Sequence, residues 1–477
     1  MGTELTIIQQ NDTHGCLEMH KELFWQSNGP FLKNAGGFSR IGKYVKKLRK
    51  QKSNVLFLDG GDLFHGQLPL VSSKGSAILP LLNKMELDAF VPGNWDFAYG
   101  KEQLRHLAEN LPFPVVACNL IDEETGKAFL KPYFIREMQG VKVGVIGLTY
   151  PYVDKTMPDS FSKGLLFSKG TDEVSRIIEV LKEEADLIIL MSHMGLPLDV
   201  KLASLVNGID IILSGHSHDR VTKPMVIGQT IVVQAGSNSS FLGRLDVNLV
   251  GGNVTDVNYQ LVNITEDFEK DEEIQELIEM VMEPFADERN TVAGETHTLL
   301  HRMTLNESPM DRLITNAYLH AYECDLSFSH GWRYGPPMAE GALSMYDLYS
   351  MIPTNPKMFT LEMDGQTLWN SLENNLEQVF SADPFEQKGG YILRSSGLFM
   401  TFKPYNPKGH RIQSLLVGER EIDLDKTYKI VGGGRQLFKE QEKSKMYDDN
   451  HAIDLIRTYL KDNGPFQAGG VEKIITV

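Results

Sequence analysis

Residue types that bind metal ions follow several short apolar runs in the first half of the chain. Asp12 and His14 occur in "NDTHG", and Asp62 occurs in "DGGD". Further positions of the same kind follow later apolar runs, namely Asn94, His193, His216 and His218. Carboxylate, imidazole and amide groups are common ligands of divalent cations. A single histidine after a strand is more often a hydrogen-bonded core residue, but seven such groups after five runs predict a metal site.

The combination of carboxylates with neutral ligands favours a site for two ions. Two divalent ions a few ångströms apart repel one another, so an anionic group between them is needed, and Asp62 suits this bridging role. Imidazole and amide ligands complete the coordination without adding negative charge. Side chains two positions apart on an extended segment share a face. We therefore expect Asp12 and His14, or His216 and His218, to reach one ion together.

The apolar runs before these residues predict strands that are buried on both faces. The expected strands are "LTIIQQ", "NVLFLDG", "DAFVPG", "PVVACN", "KVGVIGLT", "ADLIILMSH", "IDIILSGH" and "TIVVQAG". Helix-like stretches such as "DEVSRIIEVLKEEA" lie between them and supply the covering layers. In open α/β sheets ligands bind at the carboxyl ends of the strands, where residues distant in sequence meet. We predict a layered α/β domain over residues 1–262.

The rest of the chain has a different pattern. Residues 263–295 include a strongly charged stretch with apolar residues at helical spacing, which predicts a linker helix with a solvated face. Residues 296–477 alternate helical stretches ("PMDRLITNAYLHAY" and "GQTLWNSLENNLEQVF") with strand-like ones ("KMFTLEMDG", "GLFMTFKP", "RIQSLLVG" and "TYKIVGG"). A second, α+β domain is expected there.

Composition and charge exclude some classes of function. The chain of 477 residues is 42% hydrophobic and 23% charged, and no apolar stretch approaches the ~20 residues that span a bilayer, so no membrane insertion is expected. A net charge of −16 repels polyanions, so nucleic acid is not an expected partner. A small anionic substrate would need positive charge concentrated locally, from a metal ion, an arginine or a helix N-terminus.

The expected compartment depends on the first residues and the cysteines. Strand-like sequence begins within a few residues of Met1, which leaves no room for a signal peptide and predicts a cytoplasmic protein. A protein from which an export signal had been removed would have the same sequence, so export stays an alternative. The three cysteines are isolated and odd in number, which argues against a disulfide framework.

The series "NDTHG", "GGD", "GN", "SH" and "GHSH" resembles the calcineurin-like metallophosphoesterases, and "DRLITNAYLHAYECDLSFSHGWR" with "GALSMYDLYSMIP" resembles the C-terminal domain of the 5′-nucleotidases. The resemblance implies a layered metallophosphoesterase β-sandwich flanked by helices. It also implies two divalent ions, Mn²⁺ or Zn²⁺. The ligands implied for one ion are Asp12, His14, Asp62 and His218, and those for the other are Asp62, Asn94, His193 and His216.

One position departs from the 5′-nucleotidase pattern. In that family the metal-binding asparagine is followed by a histidine, with an aspartate three residues later, and the two stabilise the transition state. Trp95 and Ala98 occupy these positions here. The stretches "NWDFAYG" and "NLEQVFSADPFEQKGGYILRSSGL" are instead similar to the bacterial sulfur-oxidation thiosulfohydrolases. His65 in "GDLFHG" is a candidate substitute proton donor.

The resemblance also implies residues that contact the substrate. Arg333 in "SHGWR" stands where the family binds the substrate anion, and a guanidinium binds such oxygens in a bidentate manner. Tyr391 aligns with the first of two aromatic residues that enclose a nucleobase, although a core tyrosine is the alternative. The second aromatic is doubtful, because "VGGGRQLFKEQEK" replaces the usual loop. The catalytic residues predicted in this way are Asp62, Asn94 and Arg333.

Three functions are therefore weighed. The leading hypothesis is a two-metal hydrolase of a phosphate ester, nucleotide-like or a related small anion. The second is a thiosulfohydrolase-like enzyme that releases sulfate from a sulfur carrier, which would then be a partner protein. The third is a metal-dependent ligand-binding protein with impaired catalysis. A missing general acid favours substrates with good leaving groups, because proton donation contributes ~10²–10⁴ in rate where the leaving group is poor.

Overall fold

A computed structural model describes residues 2–470 and 472–477 of the chain. The chain divides into two compact units. The first contains Lys33–Pro284 and the segment that ends at Glu22, and the second contains Leu23–Leu32 and Phe285–Val477. A hairpin of His20–Gln26 and Gly29–Ala35 therefore contributes residues to both units.

Two sheets form the centre of the first unit. In the described part of the chain, the first sheet has the strand order Asn253–Asn263, Phe241–Val250, Thr3–Gln10, Val55–Asp59 and Ala89–Phe90. The second has the order Met225–Ile227, Thr230–Gln234, Ile211–Ser214, Leu187–Ser192, Val141–Leu148 and Tyr133–Met138. One apolar cluster contains buried side chains from both sheets, such as Ile7 and Leu58 from the first and Val145 and Ile189 from the second. The predicted β-sandwich is confirmed.

Helices of the first unit pack against strands of both sheets. The helices of the first unit are Phe38–Gln51, Leu68–Ser72, Leu79–Met85, Lys101–Glu109, Val153–Thr156, Asp159–Ser162, Thr171–Leu181, Leu196–Leu205 and Glu272–Met282, with 3-10 turns at Ser76–Ile78 and Asn94–Phe97. Thr171–Leu181 is the helix predicted from "DEVSRIIEVLKEEA", and it buries Val174, Ile178 and Leu181 at helical spacing. The remaining short strands, Leu120–Asp122 and Leu165–Phe167, pair with one another.

The strand prediction was wrong for "PVVACN". This segment makes only isolated bridges, between Val115 and Phe90 and between Val116 and Lys131. Pro114 has no N–H to donate to a ladder, which weakens regular pairing at this point. Conversely, the long antiparallel strands Phe241–Val250 and Asn253–Asn263 were not predicted. Their polar residues alternate with apolar ones because one face is exposed, so no continuous apolar run reveals them.

The charged stretch after residue 263 forms two helices instead of one. Glu272–Met282 begins after Asp271, whose carboxylate accepts the N–H of Ile274 at 3.2 Å, and a 3-10 turn at Glu283–Phe285 separates it from Ala286–Asn290. Pro284 lies at this break, where its ring is incompatible with a continuous helix. Glu272–Met282 packs against the helices Phe38–Gln51 and Leu79–Met85 of the first unit.

The second unit is α+β, as predicted. Within its described residues, one sheet has the order Arg394–Ser396, Leu326–Ser329, Thr427–Gly433, Lys357–Asp364 and Met446–His451. Another has the order Arg420–Glu421, Ile412–Val417, Leu398–Phe402 and Ile474–Thr476, and a third pairs Val292–Thr296 with Gly341–Ser344. Its described helices are Ala286–Asn290, Pro309–Ala321, Met345–Met351, Gly365–Phe380 and Ala452–Asn463, with 3-10 turns at Pro384–Glu386 and Lys439–Ser444.

Side-chain caps fix where the predicted helices of this unit begin. The Ser308 hydroxyl accepts the N–H of Asp311 at 3.2 Å, and the Asp364 carboxylate accepts that of Thr367 at 2.8 Å. Both helices then bury one apolar face against the sheets of this unit. Among the residues that the structure describes, none of the helices has the length and apolar character needed to cross a bilayer.

Candidate metal centre

The predicted metal ligands follow the carboxyl ends of strands from both sheets of the first unit. Asp12 and His14 follow Thr3–Gln10, and Asp62 follows Val55–Asp59. The remaining ligands follow other strands in the same way, namely Asn94, His193, His216 and His218. The strand ends of a sandwich thus bring together residues that are up to about 200 positions apart in sequence.

Six of these side chains form two groups that could each hold a cation. The first group is Asp12, His14 and His218, and the second is Asp62, His193 and His216. In each group the potential ligand atoms lie within 4.8 Å of one another. In the first group, for example, Nε2 of His14 and Nε2 of His218 are 3.1 Å apart. Such spacing is suited to one ion shared by all three side chains.

The two groups are adjacent, with Asp62 between them. Its Oδ2 lies 3.3 Å from Nε2 of His193 and 3.7 Å from Nε2 of His14. Nε2 of His193 is also 3.7 Å from Oδ1 of Asp12. One Asp62 oxygen thus faces imidazoles of both groups, which is the position that a bridging carboxylate needs.

Asn94 completes the second group. Its Oδ1 lies 2.8 Å from Nδ1 of His216, at a distance that allows a hydrogen bond or a shared cation. The ring of Tyr150 stacks on His216, with ring centroids 4.3 Å apart, and fixes its plane. All seven side chains predicted as ligands are therefore brought together.

The ligand-bearing turns have an unusual backbone conformation. Asp12, His14, Asp62, His216 and His218 have φ values of 51°, 47°, 58°, 72° and 61°. This left-handed region is uncommon for residues other than glycine and costs of order 1–3 kcal/mol each. Such conformations concentrate at functional sites, where the surrounding structure holds them in place.

This conformation corrects one expectation. Extended backbone was expected to direct His216 and His218 to the same ion, but the turn separates them, so that His216 joins Asp62 and His218 joins Asp12. Asp12 and His14 do share a group, although their backbone is not extended either. The alternation rule applies to strands, and the strand Ile211–Ser214 has already ended before His216.

Hydrogen bonds orient the Asp12 carboxylate. Its Oδ2 accepts the side-chain N–H of Asn11 at 2.7 Å and the backbone N–H of His216 at 2.9 Å. Its Oδ1 is buried and, among the described residues, has no hydrogen-bond partner. A buried carboxylate oxygen without a donor is unfavourable unless a cation compensates it. Oδ1 of Asp12 is therefore positioned to coordinate a cation.

The Asp62 carboxylate is held in a similar way. Its Oδ1 accepts the backbone N–H of Trp95 at 2.8 Å, while Oδ2 faces the imidazoles. The loop that carries Asp62 is fixed by Asp96, a 1%-exposed residue whose carboxylate accepts four backbone N–H groups. These belong to Asp62 at 2.8 Å, Leu63 at 2.9 Å, Phe64 at 2.8 Å and Gly93 at 2.7 Å.

His193 presents one defined nitrogen to the site. Its Nδ1 lies 2.5 Å from the carbonyl oxygen of Gly60, which can only accept, so Nδ1 carries the proton. Nε2 is then directed at the carboxylates of Asp12 and Asp62, at 3.7 and 3.3 Å. A histidine ligand whose second nitrogen donates to a carbonyl is the usual arrangement in metal sites.

The electrostatics of the side chains also fit divalent cations. Burial lowers the pKa of His14 to about 4, so its ring is neutral at pH 7. Burial would also lower the pKa of His193, but the carboxylates of Asp62 and Asp12 raise it to about 10. Burial opposes ionisation of Asp62, yet the neighbouring imidazoles keep its pKa below the usual value. In the absence of metal a proton on His193 offsets the carboxylates, and a cation can take its place.

An aromatic cluster lies beside the Asp62 loop. Trp95 is 6% exposed and stacks on His65, with ring centroids 4.7 Å apart, and the edge of Phe161 contacts its other side. Burial, together with the nearby His14 ring, lowers the pKa of His65 to about 3. His65 is therefore neutral at pH 7. Ala98 lies at the end of the 3-10 turn Asn94–Phe97.

The predicted substrate residues come together in the second unit. The guanidinium carbon of Arg333 is 5.9 Å from the ring centre of Tyr391. Tyr391 donates its backbone N–H to the carbonyl of Gly331 at 3.0 Å, so the two segments are in direct contact. A Cβ on Gly331 would lie 2.7 Å from the carbonyl oxygen of Ile392, so only glycine permits this approach.

The segment "VGGGRQLFKEQEK", which made the second aromatic residue doubtful, contributes to the core. Leu437 and Phe438 are 1% and 7% exposed and belong to the core of the second unit. The Phe438 ring packs edge-on against Phe328 within this core.

The residues that support these sites were not predicted from the sequence. Asn11 immediately precedes Asp12 in "NDTHG", and Asp96 lies two residues after Asn94 in "NWDFAYG", so proximity to predicted ligands was the available signal. Arg394 was also missed, although its guanidinium carbon lies 5.1 Å from the ring centre of Tyr391. Nothing in its local sequence distinguishes it from a surface arginine.

Two family models match the chain. Residues 5–220 match the model described as calcineurin-like phosphoesterase. Residues 291–434 match the model described as 5′-nucleotidase, C-terminal domain. The first match contains all seven candidate ligands, and the second contains Arg333 and Tyr391.

Curated relatives carry related names. A Bacillus subtilis protein named trifunctional nucleotide phosphoesterase protein YfkN is 25% identical over 92% of this chain and 32% of its own length. The chain thus spans about a third of that relative. A protein of Vibrio cholerae named 5′-nucleotidase is 23% identical over 97% of this chain and 91% of its own length.

Solved structures show the same fold. The Thermus thermophilus sulfate thiohydrolase SoxB has a TM-score of 0.91 at 23% identity, covering 99% of this chain and 96% of its own. A 5′-nucleotidase precursor from Thermus thermophilus has a TM-score of 0.89 at 24% identity, covering 100% and 99%. At these identities the likeness shows the fold alone.

Proposed function

We propose that this chain hydrolyses phosphate esters of small molecules with two divalent ions. The premise is that it joins a calcineurin-like phosphoesterase domain to a 5′-nucleotidase C-terminal domain. It is thus a metal-dependent hydrolase of that superfamily. The observation that carries the proposal is the pair of ligand groups on either side of Asp62. Mixed histidine and carboxylate ligands favour Mn²⁺ or Zn²⁺.

The residues around Asp62 would hold these ions and set the charge of the site. Asp12, His14 and His218 would bind one ion, His193, His216 and Asn94 the other, and Asp62 both. When bound, two such ions polarise the phosphoryl oxygens and lower the pKa of a water nucleophile. Asp12 and Asp62 contribute two negative charges against four positive ones, so the loaded site attracts an anion. Asn94 presents its carbonyl oxygen without adding charge.

Arg333 and Tyr391 would contact the substrate. A guanidinium binds the oxygens of phosphate in a bidentate manner, which adds both affinity and orientation. In a chain with a net charge of −16, this half-buried arginine is a local positive group of the kind that an anionic substrate requires. Tyr391 offers an aromatic ring beside it.

The residue after Asn94 favours substrates with good leaving groups. Trp95 has no acidic proton of useful pKa, and Ala98 cannot orient one. His65 stacks on Trp95 but is neutral at pH 7, so it holds no imidazolium proton to donate. These residues cannot protonate an alkoxide leaving group, which departs poorly without a proton. An aryl oxide or a thiolate leaves without that help. We therefore infer slow turnover of nucleoside 5′-monophosphates and faster turnover of activated esters.

A second candidate function is release of sulfate from a sulfur carrier protein, as in a thiosulfohydrolase. Two observations favour it, namely Trp95 at the dyad position and the fold likeness to the structure titled sulfate thiohydrolase SoxB. A sulfonate shares with a phosphate ester its tetrahedral shape and its negatively charged oxygens, so the same cations and Arg333 would serve it. A thiolate or persulfide leaving group needs no general acid, which agrees with the absence of one.

A substrate panel separates the two functions. The Mn²⁺-loaded protein is assayed with p-nitrophenyl phosphate, adenosine 5′-monophosphate and cysteine S-sulfonate, with Asp62→Asn as the inactive control. Preference for the aryl phosphate supports the first proposal, and preference for the S-sulfonate supports the second. If no compound is hydrolysed while metal and inorganic phosphate still bind, the chain is a ligand-binding protein and both proposals are wrong.

A further inference from the structure

A buried carboxylate lies behind the Arg333 and Tyr391 pair. Asp311 is 1% exposed and is the third residue of the helix Pro309–Ala321. Its Oδ1 accepts Nε of Arg302 at 3.0 Å, and its Oδ2 lies 3.2 Å from Nε of Arg394. Both arginines are 2% exposed, so one carboxylate holds two buried guanidinium groups. Ser308 also donates its hydroxyl to Oδ2 of Asp311, at 2.7 Å.

The first arginine holds the segment that carries Arg333. Nη1 of Arg302 donates to the carbonyl oxygen of Tyr334 at 2.9 Å, one residue after Arg333. The chain turns at Gly335, which has a φ of +96° and whose added Cβ would lie 3.1 Å from Nη1 of Arg302. The position of the Arg333 backbone thus depends on where Arg302 is held, and Asp311 holds it.

The second arginine contacts Tyr391 directly. The guanidinium carbon of Arg394 lies 5.1 Å from the Tyr391 ring centre, within the range of cation–π attraction. Its Nη1 donates to the carbonyls of Leu305 and Asn306, and its Nη2 to that of Thr304 at 2.9 Å. Arg394 is therefore anchored on one side to a loop, on a second to Asp311, and faces Tyr391 on a third.

The negative charge of Asp311 compensates the positive charges of two buried arginines near Tyr391 and Tyr334. Three guanidinium groups, those of Arg302, Arg333 and Arg394, surround Tyr391 and Tyr334, and Asp311 is the buried carboxylate paired with two of them. The nearby Glu307 pairs with Arg312 at 2.6 Å instead. Removing one partner of a buried ion pair leaves an uncompensated charge, so the remaining groups must move.

We propose that Asp311 is a positioning residue, which fixes the Arg333 and Tyr391 substrate-binding pair through Arg302 and Arg394. This rests on the proposed role of that pair in substrate binding. Asp311 does not touch the substrate. It sets where the Arg333 guanidinium and the Tyr391 ring stand before the substrate arrives, which lowers the cost of organising them on binding.

Asp311→Asn tests the proposal, because it keeps the size of the side chain and removes its charge. The control is Glu373→Gln, since Glu373 is also buried in the second unit and accepts the N–H groups of Arg411 and Ile412 at 3.2 and 2.7 Å. With the Mn²⁺-loaded protein and p-nitrophenyl phosphate, we expect Asp311→Asn to raise KM by about tenfold and to change kcat by less than about threefold. Glu373→Gln should leave KM unchanged even if it lowers the thermal stability as much as Asp311→Asn does.

Arg394→Lys provides a second variant in case Asp311→Asn does not fold. It keeps the charge but loses the planar fork that joins Asp311 to the loop carbonyls, and KM should again rise. Equal KM values for wild type, Asp311→Asn and Arg394→Lys would overturn the proposal. The metal content of each variant should equal that of the wild type, because the ligands lie in the first unit. A wild-type protein with no hydrolase activity would instead refute the proposed function.

Discussion

At the scale of single residues, the carboxylates of Asp12 and Asp62 are oriented in the same way. Each has one oxygen fixed by N–H donors and the other directed at imidazoles: Oδ1 of Asp12 and Oδ2 of Asp62. This division orients a carboxylate before a cation arrives, so that little reorganisation accompanies binding. This orientation depends on N–H donors such as the Asn11 side chain and the Trp95 backbone, which are not themselves candidate ligands.

Asp96 provides a test of this dependence. Asp96→Asn replaces an oxygen that accepts backbone N–H groups with an amide NH₂ that repels them. We expect a loss of stability on the order of 3 kcal/mol and weaker metal binding, because the Asp62 loop loses its anchor. Urea unfolding and metal analysis measure the two effects. Unchanged metal affinity in a folded variant would show that Asp96 does not position Asp62.

A second prediction concerns Trp95. If the lack of a general acid limits the enzyme, Trp95→His with Ala98→Asp should raise kcat/KM for adenosine 5′-monophosphate by about 10²-fold, and Trp95→His alone should do less because nothing orients the new ring. Removal of the buried Trp95 side chain could cost up to about 3–5 kcal/mol of stability, so thermal unfolding is measured in parallel. Equal rates in wild type and a well-folded double variant would count against this role of Trp95.

The residue types of the centre could be predicted from sequence, but their support could not. Asp12 and His193 stand in motifs whose chemistry is evident from the letters. Asp96 is different, because three of its four hydrogen bonds require the 62–64 loop to fold over the turn at 93–96, more than 30 positions away. The same holds for Arg394, whose partners lie almost 90 positions earlier.

At the scale of elements, short turns after strands do most of the positioning. The apolar runs predicted the strands well because these are buried on both faces, as in Leu187–Ser192. Prediction failed where a strand has an exposed face, as in Asn253–Asn263, and where a proline interrupts pairing, as before Val115. The left-handed turns at Asp12 and His216 could not be predicted from the sequence, since neither residue type requires this conformation.

The turn before Asn94 offers a test at this scale. A Cβ on Gly93 would lie 2.2 Å from Oδ1 of Asp62 and 2.5 Å from Cε1 of His193. Gly93→Ala should therefore push Asp62 and His193 apart, reduce the bound metal to less than about half, and destabilise the fold by about 1–3 kcal/mol. Gly469→Ala is the matched control, since its Cβ would meet no atom within 4 Å. Wild-type metal content in Gly93→Ala would contradict the packing described here.

At the scale of the whole molecule, net charge and local charge oppose one another. The chain carries −16, yet the proposed substrate is an anion. The proposed function would reconcile these charges through cations bound by the two ligand groups of the first unit and through Arg333 and Arg394 beside Tyr391 in the second. Because exposed charges are screened by salt and buried ones are not, substrate affinity should depend on the buried groups more than on the net charge.

Metal binding should depend on pH in a defined direction. The pKa of His193 is raised to about 10 in the metal-free protein, above its ordinary value of 6.5. The protonated ring therefore stabilises the metal-free fold below about pH 6.5, and this contribution is lost as the pH rises through about 10. A cation must displace that proton, so metal affinity should increase with pH up to about 10. Calorimetry in buffers of different ionisation enthalpy should detect proton release, and its absence at pH 7 would contradict the assignment.

The central claim is that two divalent ions held around Asp62 are required for hydrolysis of a phosphate ester. Its most direct test is titration of chelator-treated protein with Mn²⁺ while hydrolysis of p-nitrophenyl phosphate is followed. We predict no activity without metal, a rise that levels off at two equivalents per chain, and no recovery at these concentrations in Asp62→Ala, which loses the shared ligand. Full hydrolysis by the metal-free protein, or saturation at two equivalents in Asp62→Ala, would contradict the claim.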